Sequence, residues 1–406
     1  MRHEIFRAER VTYRREDIIF LRDFQLNIYA GECMGLLPLD SFGLDELLDV
    51  LRNNIPVFNG YIYYQGRMIN SWRGDPAHGS EQPHIAVITG RSSLAACLSV
   101  SVNIFIIRPD TREQIINKKL YRKLLQPVFQ ETGVDISPDR IAEDLSSFER
   151  IIVEIIRAVI HDNRLIVLKE LGNEISREEL AKLKEIIRFY CSQGFSFLYI
   201  SSNADEILQM SDRVAFMQSG TIIKVLSSGE FTDPEKKIFL QKASDYPAAL
   251  IRDPGCEMMI CPNVDAAHRK FSELAAMREK DCACISAHPE ESMFFPDMSV
   301  YDNLCFNSDQ RIRDIWISQR VRKSIAFEYS RMFASMEQPA GTLSKSDRVK
   351  LVYERILFQE PHHVIIETPF VNEDLKHRLR ITDNIMKMLR AGIRVTILTI
   401  ENEKIR

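Results

Sequence analysis

Residues 31–48 read Gly31-Glu32-Cys33-Met34-Gly35-Leu36-Leu37-Pro38-Leu39-Asp40-Ser41-Phe42-Gly43-Leu44-Asp45-Glu46-Leu47-Leu48. A continuously apolar run, 33–37, passes through a loop bearing Pro38 and Gly43 into a stretch with helical apolar spacing. Short strands apolar at every position are covered on both faces, which is the condition of a parallel sheet. Three further runs of this kind, 85–88, 165–168 and 197–200, alternate with helical periods. Together they predict an α/β domain built on a parallel sheet.

Working outward, residues 5–13, 18–28 and 61–68 carry antiparallel-strand patterns, the last after a turn expected at Asn59-Gly60. The region 98–159 is mostly helical in its spacing. A polar stretch, 232–247, reads as a linker. The pattern then restarts with a strand at 258–261, a helix at 265–278, a strand at 282–287, a helical region at 312–336 and strands at 363–366 and 395–400. The same order of elements twice in one chain is an internal repeat of domain size. The expected domains are 1–240, with a helical subdomain at about 92–160, and a shortened second copy at 247–406, separated by that polar stretch.

Composition narrows the function classes. At 406 residues the chain is long enough for two domains, and 45% hydrophobic with 27% charged residues is ordinary for a globular protein. A net charge of -4 without a long basic run argues against a dedicated nucleic-acid binder. No stretch approaches the roughly 20 apolar residues that span a bilayer. With a polar, charged start the expected location is the cytoplasm, or peripheral attachment at the inner face of a membrane. Eight cysteines lie mostly in apolar runs and read as buried free thiols. Cys256, Cys261, Cys282 and Cys284 are the tightest set, and zinc is the alternative reading for them.

The order of these segments resembles the ABC-transporter ATPases of the ribose/galactose monosaccharide-importer type. Residues 31–48 resemble the strand, phosphate loop and helix of that family, and Phe58-Asn59-Gly60 to Gly66 the strand pair that follows. Leu145-Ser146-Ser147-Phe148-Glu149-Arg150 resembles the signature at the head of a helix. Arg164-Leu165-Ile166-Val167-Leu168-Lys169-Glu170 is similar to the Walker B strand, and Ser201-Ser202-Asn203-Ala204-Asp205-Glu206 to the switch region. Phe295-Pro296-Asp297-Met298-Ser299-Val300, with Asn303, and Leu343-Ser344-Lys345-Ser346 resemble the second half of such proteins. The resemblance implies two tandem P-loop NTPase lobes, each a mainly parallel sheet flanked by helices, with an antiparallel β-subdomain and a helical subdomain in the first.

The chemistry expected at those positions is largely replaced. A phosphate loop needs glycines, a Lys for the β/γ-phosphates and a Ser/Thr for Mg²⁺. Here Pro38 and Ser41 stand at glycine positions and only Gly43 remains; Leu44 replaces the Lys, and Asp45-Glu46 the Ser/Thr pair. Acids in the first turn satisfy a helix N-terminus from within and repel a triphosphate. Lys169 stands at the metal-holding Asp, so an ion pair between Asp45 and Lys169 is predicted; the alternative turns both side chains out to solvent. Glu170 keeps the position of the water-polarising acid but, without a phosphate to attack, reads as a surface acid. Gly90 replaces the Q-loop glutamine, Ser202 the switch His and Phe148 a signature glycine. Tyr13 is a candidate adenine stacker or a core aromatic. Ser146 and Ser147 keep small polar groups in the signature-like Leu145–Glu149 stretch, and serine there is also a plain N-cap. In the second lobe Asn263 and Ala267 mark the phosphate-loop position, Ala267 replacing the Lys. Ser344 marks the second signature, and Glu367-Thr368 the acidic pair. His268, His288 and His362-His363 read as loop and surface residues without metal spacing.

Three functions stand open on this reading. One is a non-catalytic, regulatory or scaffolding subunit without cofactor, whose partners are a permease, an intact ABC ATPase or a sensor, with dimerisation open. A second is an importer subunit that still binds or hydrolyses ATP with Mg²⁺ beside an intact partner. A third is a module that has exchanged ATP for another ligand.

Overall fold

The structure, a computed structural model of the chain, describes residues 3–15, 18–71, 85–90, 92–105, 118–230, 250, 253–277, 281–306, 319–329, 332–333, 335–371, 373 and 375–401. The chain divides into two compact units, Met1–Gln241 and Lys242–Arg406. The polar 232–247 stretch lies outside the described residues.

In the first unit β1 (Glu4–Arg15), β2 (Ile18–Tyr29), β4 (Asn59–Tyr64) and β5 (Arg67–Ser71) form an antiparallel sheet of order β2-β1-β4-β5. The expected turn at Asn59-Gly60 is instead the start of β4. Gly60 has φ 96, and a Cβ there would lie 2.5 Å from the Arg10 carbonyl oxygen, so the position takes a glycine. The hairpin turn is Gln65-Gly66, with φ 51 and 75, so that 61–68 holds parts of two strands.

The second sheet of this unit has the order β10-β9-β3-β8-β7-β6. It comprises β3 (Cys33–Pro38), β6 (Ile85–Thr89), β7 (Leu165–Lys169), β8 (Ser196–Ile200) and β9 (Arg213–Gln218) in parallel, with β10 (Thr221–Ser227) antiparallel at the edge. Side chains alternate between two cores: Ile166 and Leu168 pack on one face, Leu165 and Val167 on the other. The helices are α1 (Leu44–Asn53), α2 (Val100–Phe105), α3 (Lys118–Thr132), α4 (Ser147–Ile160), α5 (Arg177–Ser192) and α6 (Ala204–Met210). Capping boxes start α4 at Ser146/Glu149 and α5 at Ser176/Glu179.

The second unit is a parallel sheet of order β11-β14-β13-β12, from β11 (Cys256–Cys261), β12 (Cys282–Ile285), β13 (His363–Glu367) and β14 (Arg394–Ile400). Around it lie α7 (Val264–Ala276), α8 (Pro289–Ser292), α9 (Val300–Cys305), α10 (Gln319–Tyr329), α11 (Lys345–Gln359) and α12 (Leu375–Arg390). Of the helical region expected at 312–336, residues 319–329 are helical and 312–318 lie outside the described residues. Met336 is not helical: its carbonyl accepts the Tyr301 N–H at 2.9 Å.

The repeat extends to single hydrogen bonds. The order β3-β8-β7-β6 recurs as β11-β14-β13-β12. Buried Asn103 accepts from Ala95 N–H and donates to the carbonyls of Ala95, Leu98 and Ser99. Buried Asn303 accepts from Phe295 N–H and donates to the carbonyls of Phe295, Met298 and Ser299, at the same offsets along the chain. Each asparagine ties the turn before a short helix to that helix, satisfying backbone groups that have no ladder partner. Among the described residues no helix is long and apolar enough to cross a membrane.

Candidate functional site

The loop between β3 and α1 is closed by contacts to its own unit. Pro38 ends β3 and is buried, and Leu39 N–H donates to the Met217 carbonyl at 2.8 Å. Asp40, not singled out from the sequence, accepts from Ser219 N–H at 3.0 Å, from Ser219 Oγ at 3.2 Å and from Phe42 N–H at 3.2 Å. Phe42 stacks on Phe20 with ring centroids 5.4 Å apart. Ser41 carbonyl accepts the Leu44 N–H at 3.3 Å. Gly43 has φ 78, and a Cβ there would lie 2.3 Å from the Phe20 carbonyl oxygen. The glycine is therefore required by β2, whatever the loop binds. Leu44 is buried in the core beneath α1, and Asp45 and Glu46 form the helix's acidic first turn.

Lys169, the last residue of β7, donates from Nζ to Asp45 Oδ1 at 2.7 Å. The lysine side chain is 25% exposed and the aspartate 80%, so this pair sits at the surface of the unit. The next residue corrects the sequence reading. Glu170 is buried, not a surface acid. Its φ of 52 turns the chain at the strand end and brings the carboxylate inward, where it accepts from Ser202 N–H at 2.8 Å, Ser202 Oγ at 3.4 Å and Asn173 Nδ2 at 3.3 Å. A left-handed residue after a strand leaves no trace in hydrophobic periodicity.

The remaining positions of the first unit have other occupations. Tyr13 is buried in the core between the sheets, which removes it as an adenine stacker. A Cβ on Gly90 would lie 2.6 Å from Glu174 Oε1, so an acid stands over that position. Leu145 and Phe148 are buried core residues. Ser146 Oγ accepts the Glu149 N–H at 3.2 Å and Glu149 Oε2 accepts the Ser146 N–H at 2.8 Å, while Glu149 Oε1 takes Arg140 Nη1 at 2.6 Å. Ser147 is the first residue of α4.

In the second unit Asn263 caps α7, its side chain accepting the Ala266 N–H at 2.9 Å, and Ala267 is fully buried. His268 is not a loop residue. It lies on α7, and its Nδ1 meets Oε1 of the buried Glu367 at 2.7 Å, while Ala287 N–H donates to Glu367 Oε2 at 3.2 Å. Thr368 follows with φ 37, and its N–H donates to the Leu398 carbonyl, as Glu170 N–H does to the Ile200 carbonyl. Lys169 and Glu367 thus hold corresponding places, each ending its strand and each paired with a side chain of the helix after the first parallel strand of its unit. In the first unit the acid is on the helix, in the second it is on the strand. Ser344 caps α11, accepting the Asp347 N–H at 3.2 Å. His288 precedes α8, His362 Nε2 is 3.6 Å from Asp281 Oδ2, and His363 Nε2 is 2.8 Å from Thr396 Oγ1.

Cys256 and Cys261 lie on β11 and Cys282 and Cys284 on β12, at opposite edges of the sheet with β14 and β13 between. Three strand spacings of about 4.8 Å keep the two pairs from converging on one ion. All eight cysteines are free; Cys97 is exposed and outside the strands. Among the described residues no group of three or more His, Cys, Asp or Glu is placed to hold a metal ion.

One acid near the site was quoted from the sequence without being given a role. Glu206, in the first turn of α6, is buried, and burial pushes its carboxyl group up to about 7. Its only signal in the sequence is an acid next to the apolar Ile207, and Asp205 precedes it.

No family model matches the chain. It is 27% identical over 229 residues to the ribose import ATP-binding protein RbsA 3 of Rubrobacter xylanophilus, covering 56% of this chain and 46% of that protein. It therefore spans less than half the length of that relative. With the ribose import ATP-binding protein RbsA 1 of Burkholderia ambifaria it is 24% identical over 446 residues, covering 94% of this chain and 85% of that protein. Among solved structures, an ATP-binding cassette of an ABC transporter, MJ1267, superposes with a TM-score of 0.50 at 20% identity, covering 58% of this chain and 98% of that chain. The chain has the α/β fold of ABC ATPases and is a distant homologue of ribose-import ATP-binding proteins.

Proposed function

We propose that the chain is an ABC-ATPase-like subunit of a monosaccharide-type transport or sensing system whose nucleotide site is filled by its own side chains, leaving a regulatory or scaffolding role. The observation that carries this reading is the Lys169–Asp45 pair at 2.7 Å. An ammonium group and its carboxylate partner take the two positions that in the family resemblance share a metal ion. Leu44, at the position of the phosphate-binding Lys, is buried and offers no cation to a β- or γ-phosphate. The residues in place therefore fit magnesium nucleotide poorly. Phosphoryl transfer draws nearly all its catalysis from positioning and electrostatics, so such losses compound.

On this reading the fold serves protein contacts, with a permease, an intact ABC ATPase or a sensor as partner at the inner face of a membrane. Two observations favour a second reading, an importer subunit that still binds ATP. The N-terminus of α1 has no side-chain cap, which leaves N–H groups for an anion, and Glu170 is held in place by Ser202. The relatives in the comparison are named as ATP-binding proteins. Titration of the purified chain with ATP and Mg²⁺ by calorimetry separates the two. The regulatory reading expects no heat up to millimolar ATP, and saturable magnesium-dependent binding would replace it with the second reading.

A further inference from the structure

Glu206 is not used by the site described above, yet it lies directly behind it. Its Oε1 accepts the Tyr199 hydroxyl from β8, while its Oε2 is buried without a hydrogen-bond partner among the described residues. The fit is tight, since a Cβ on Gly172 would lie 2.3 Å from Glu206 Oε2. Asn203 caps α6 by accepting the Glu206 N–H at 3.3 Å. The titratable and charged groups that face Glu206 are Tyr199, Glu170 at the end of β7 and, beyond Tyr199, the Cys33 thiol on β3. None of these is a cation.

Two buried carboxyl groups thus flank the 201–203 segment, and their surroundings divide the roles. Glu170 accepts from Ser202 N–H, Ser202 Oγ and Asn173 Nδ2, the donor-rich setting of an ionised carboxylate. Glu206 is buried beside Glu170 and a phenol, and burial pushes its carboxyl group up to about 7. The segment that donates to Glu170 through Ser202 is the same one that caps Glu206 through Asn203. A change at one carboxyl group therefore reaches the other through adjacent residues.

We propose that Glu206 is a proton-operated latch on the 201–203 segment. With its carboxyl group neutral, α6 stays seated against Tyr199 and Gly172. On ionisation, with the proton passing to solvent, the first turn of α6 opens and carries Glu206 into water. Ser202 then releases Glu170, so the pH of the compartment is read out at the candidate site. This device is independent of whether the site binds nucleotide.

Amide hydrogen exchange of the full chain across pH 5 to 8.5, with rates corrected for intrinsic pH dependence, tests the latch. The open state ionises near 4.5 and the closed state near 7. Opening of residues 172–174 and 201–210 should therefore grow about tenfold per pH unit between pH 5 and 7 and level off above. Strands β3 and β7 should show no such slope. Glu206→Gln should abolish the slope. Tyr199→Phe removes a donor that holds the ionised form, so its levelling-off should move to higher pH. Corrected exchange that does not vary with pH in the unmodified chain overturns the proposal, as does a Glu206→Gln variant that keeps the slope. If Glu206→Gln fails to fold, an unmoved levelling-off point in Tyr199→Phe overturns it.

Discussion

Lys169 Nζ and Asp45 Oδ1 lie 2.7 Å apart, joining the last residue of β7 to the first turn of α1. The second unit repeats the arrangement with the acid on the strand, Glu367 meeting His268 Nδ1 on α7 at 2.7 Å. The strand residues differ in setting, Lys169 being 25% exposed and Glu367 4%, whereas their helix partners Asp45 and His268 are both exposed, 80% and 68%.

The two pairs should therefore differ in weight. A double-mutant cycle on Asp45→Ala and Lys169→Ala should give a coupling of no more than about 1 kcal/mol, shrinking in 1 M salt. His268→Ala, which strips a buried carboxyl group of a partner, should cost about 1–3 kcal/mol. Urea unfolding of the variants measures both, and a large, salt-insensitive coupling at Asp45–Lys169 would contradict the surface description of that pair.

Gly43→Ala should destabilise the first unit by about 1–3 kcal/mol without any ligand present, since the residue has φ 78 and faces the Phe20 carbonyl. Thermal unfolding measures this. A neutral substitution would mean that the loop is free of β2.

Asn103→Ala and Asn303→Ala should each cost about 2 kcal/mol or more, because each removes a buried side chain that makes four hydrogen bonds to the turn before its helix. Similar losses from both sites, by denaturant unfolding, are expected of a structural repeat.

The raised carboxyl group of Glu206 gives stability a sign with pH. The folded chain binds this proton more tightly than the unfolded chain, so its contribution is full below about pH 4.5 and lost as pH rises to about 7. The loss is at most about 3 kcal/mol. Glu206→Gln should flatten this slope and be more stable than the unmodified chain at pH 8, by urea midpoints at each pH.

The parallel core was legible because the runs 33–37, 165–168 and 197–200 are apolar at every position and separated by helical periods. The antiparallel sheet was legible from alternation, but not its turn. Gly60 carries the composition of a turn for a different reason, the approach of the Arg10 carbonyl. Helix α12 was not drawn from the sequence, although Ile381, Ile385 and Met388 carry helical spacing and pack in the core.

At the site, the residue identities were visible one by one, whereas their burial was not. Glu170 turns inward through a left-handed backbone angle that no residue pattern announces. His268 and Glu367 are 99 residues apart, and Asp40 meets Ser219 across 179. Contacts of that span depend on how strands are ordered in the sheet, and strand order is not written in local periodicity.

The central claim, that the first unit's site is filled from within, is tested most directly by titrating the purified chain with ATP and Mg²⁺ while following its thermal midpoint and heat of binding. No heat and no shift are expected up to millimolar nucleotide, in the unmodified chain as in Lys169→Ala. A concentration-dependent rise in the midpoint that requires Mg²⁺ would contradict it, since only a ligand bound to the folded state raises the midpoint in that way.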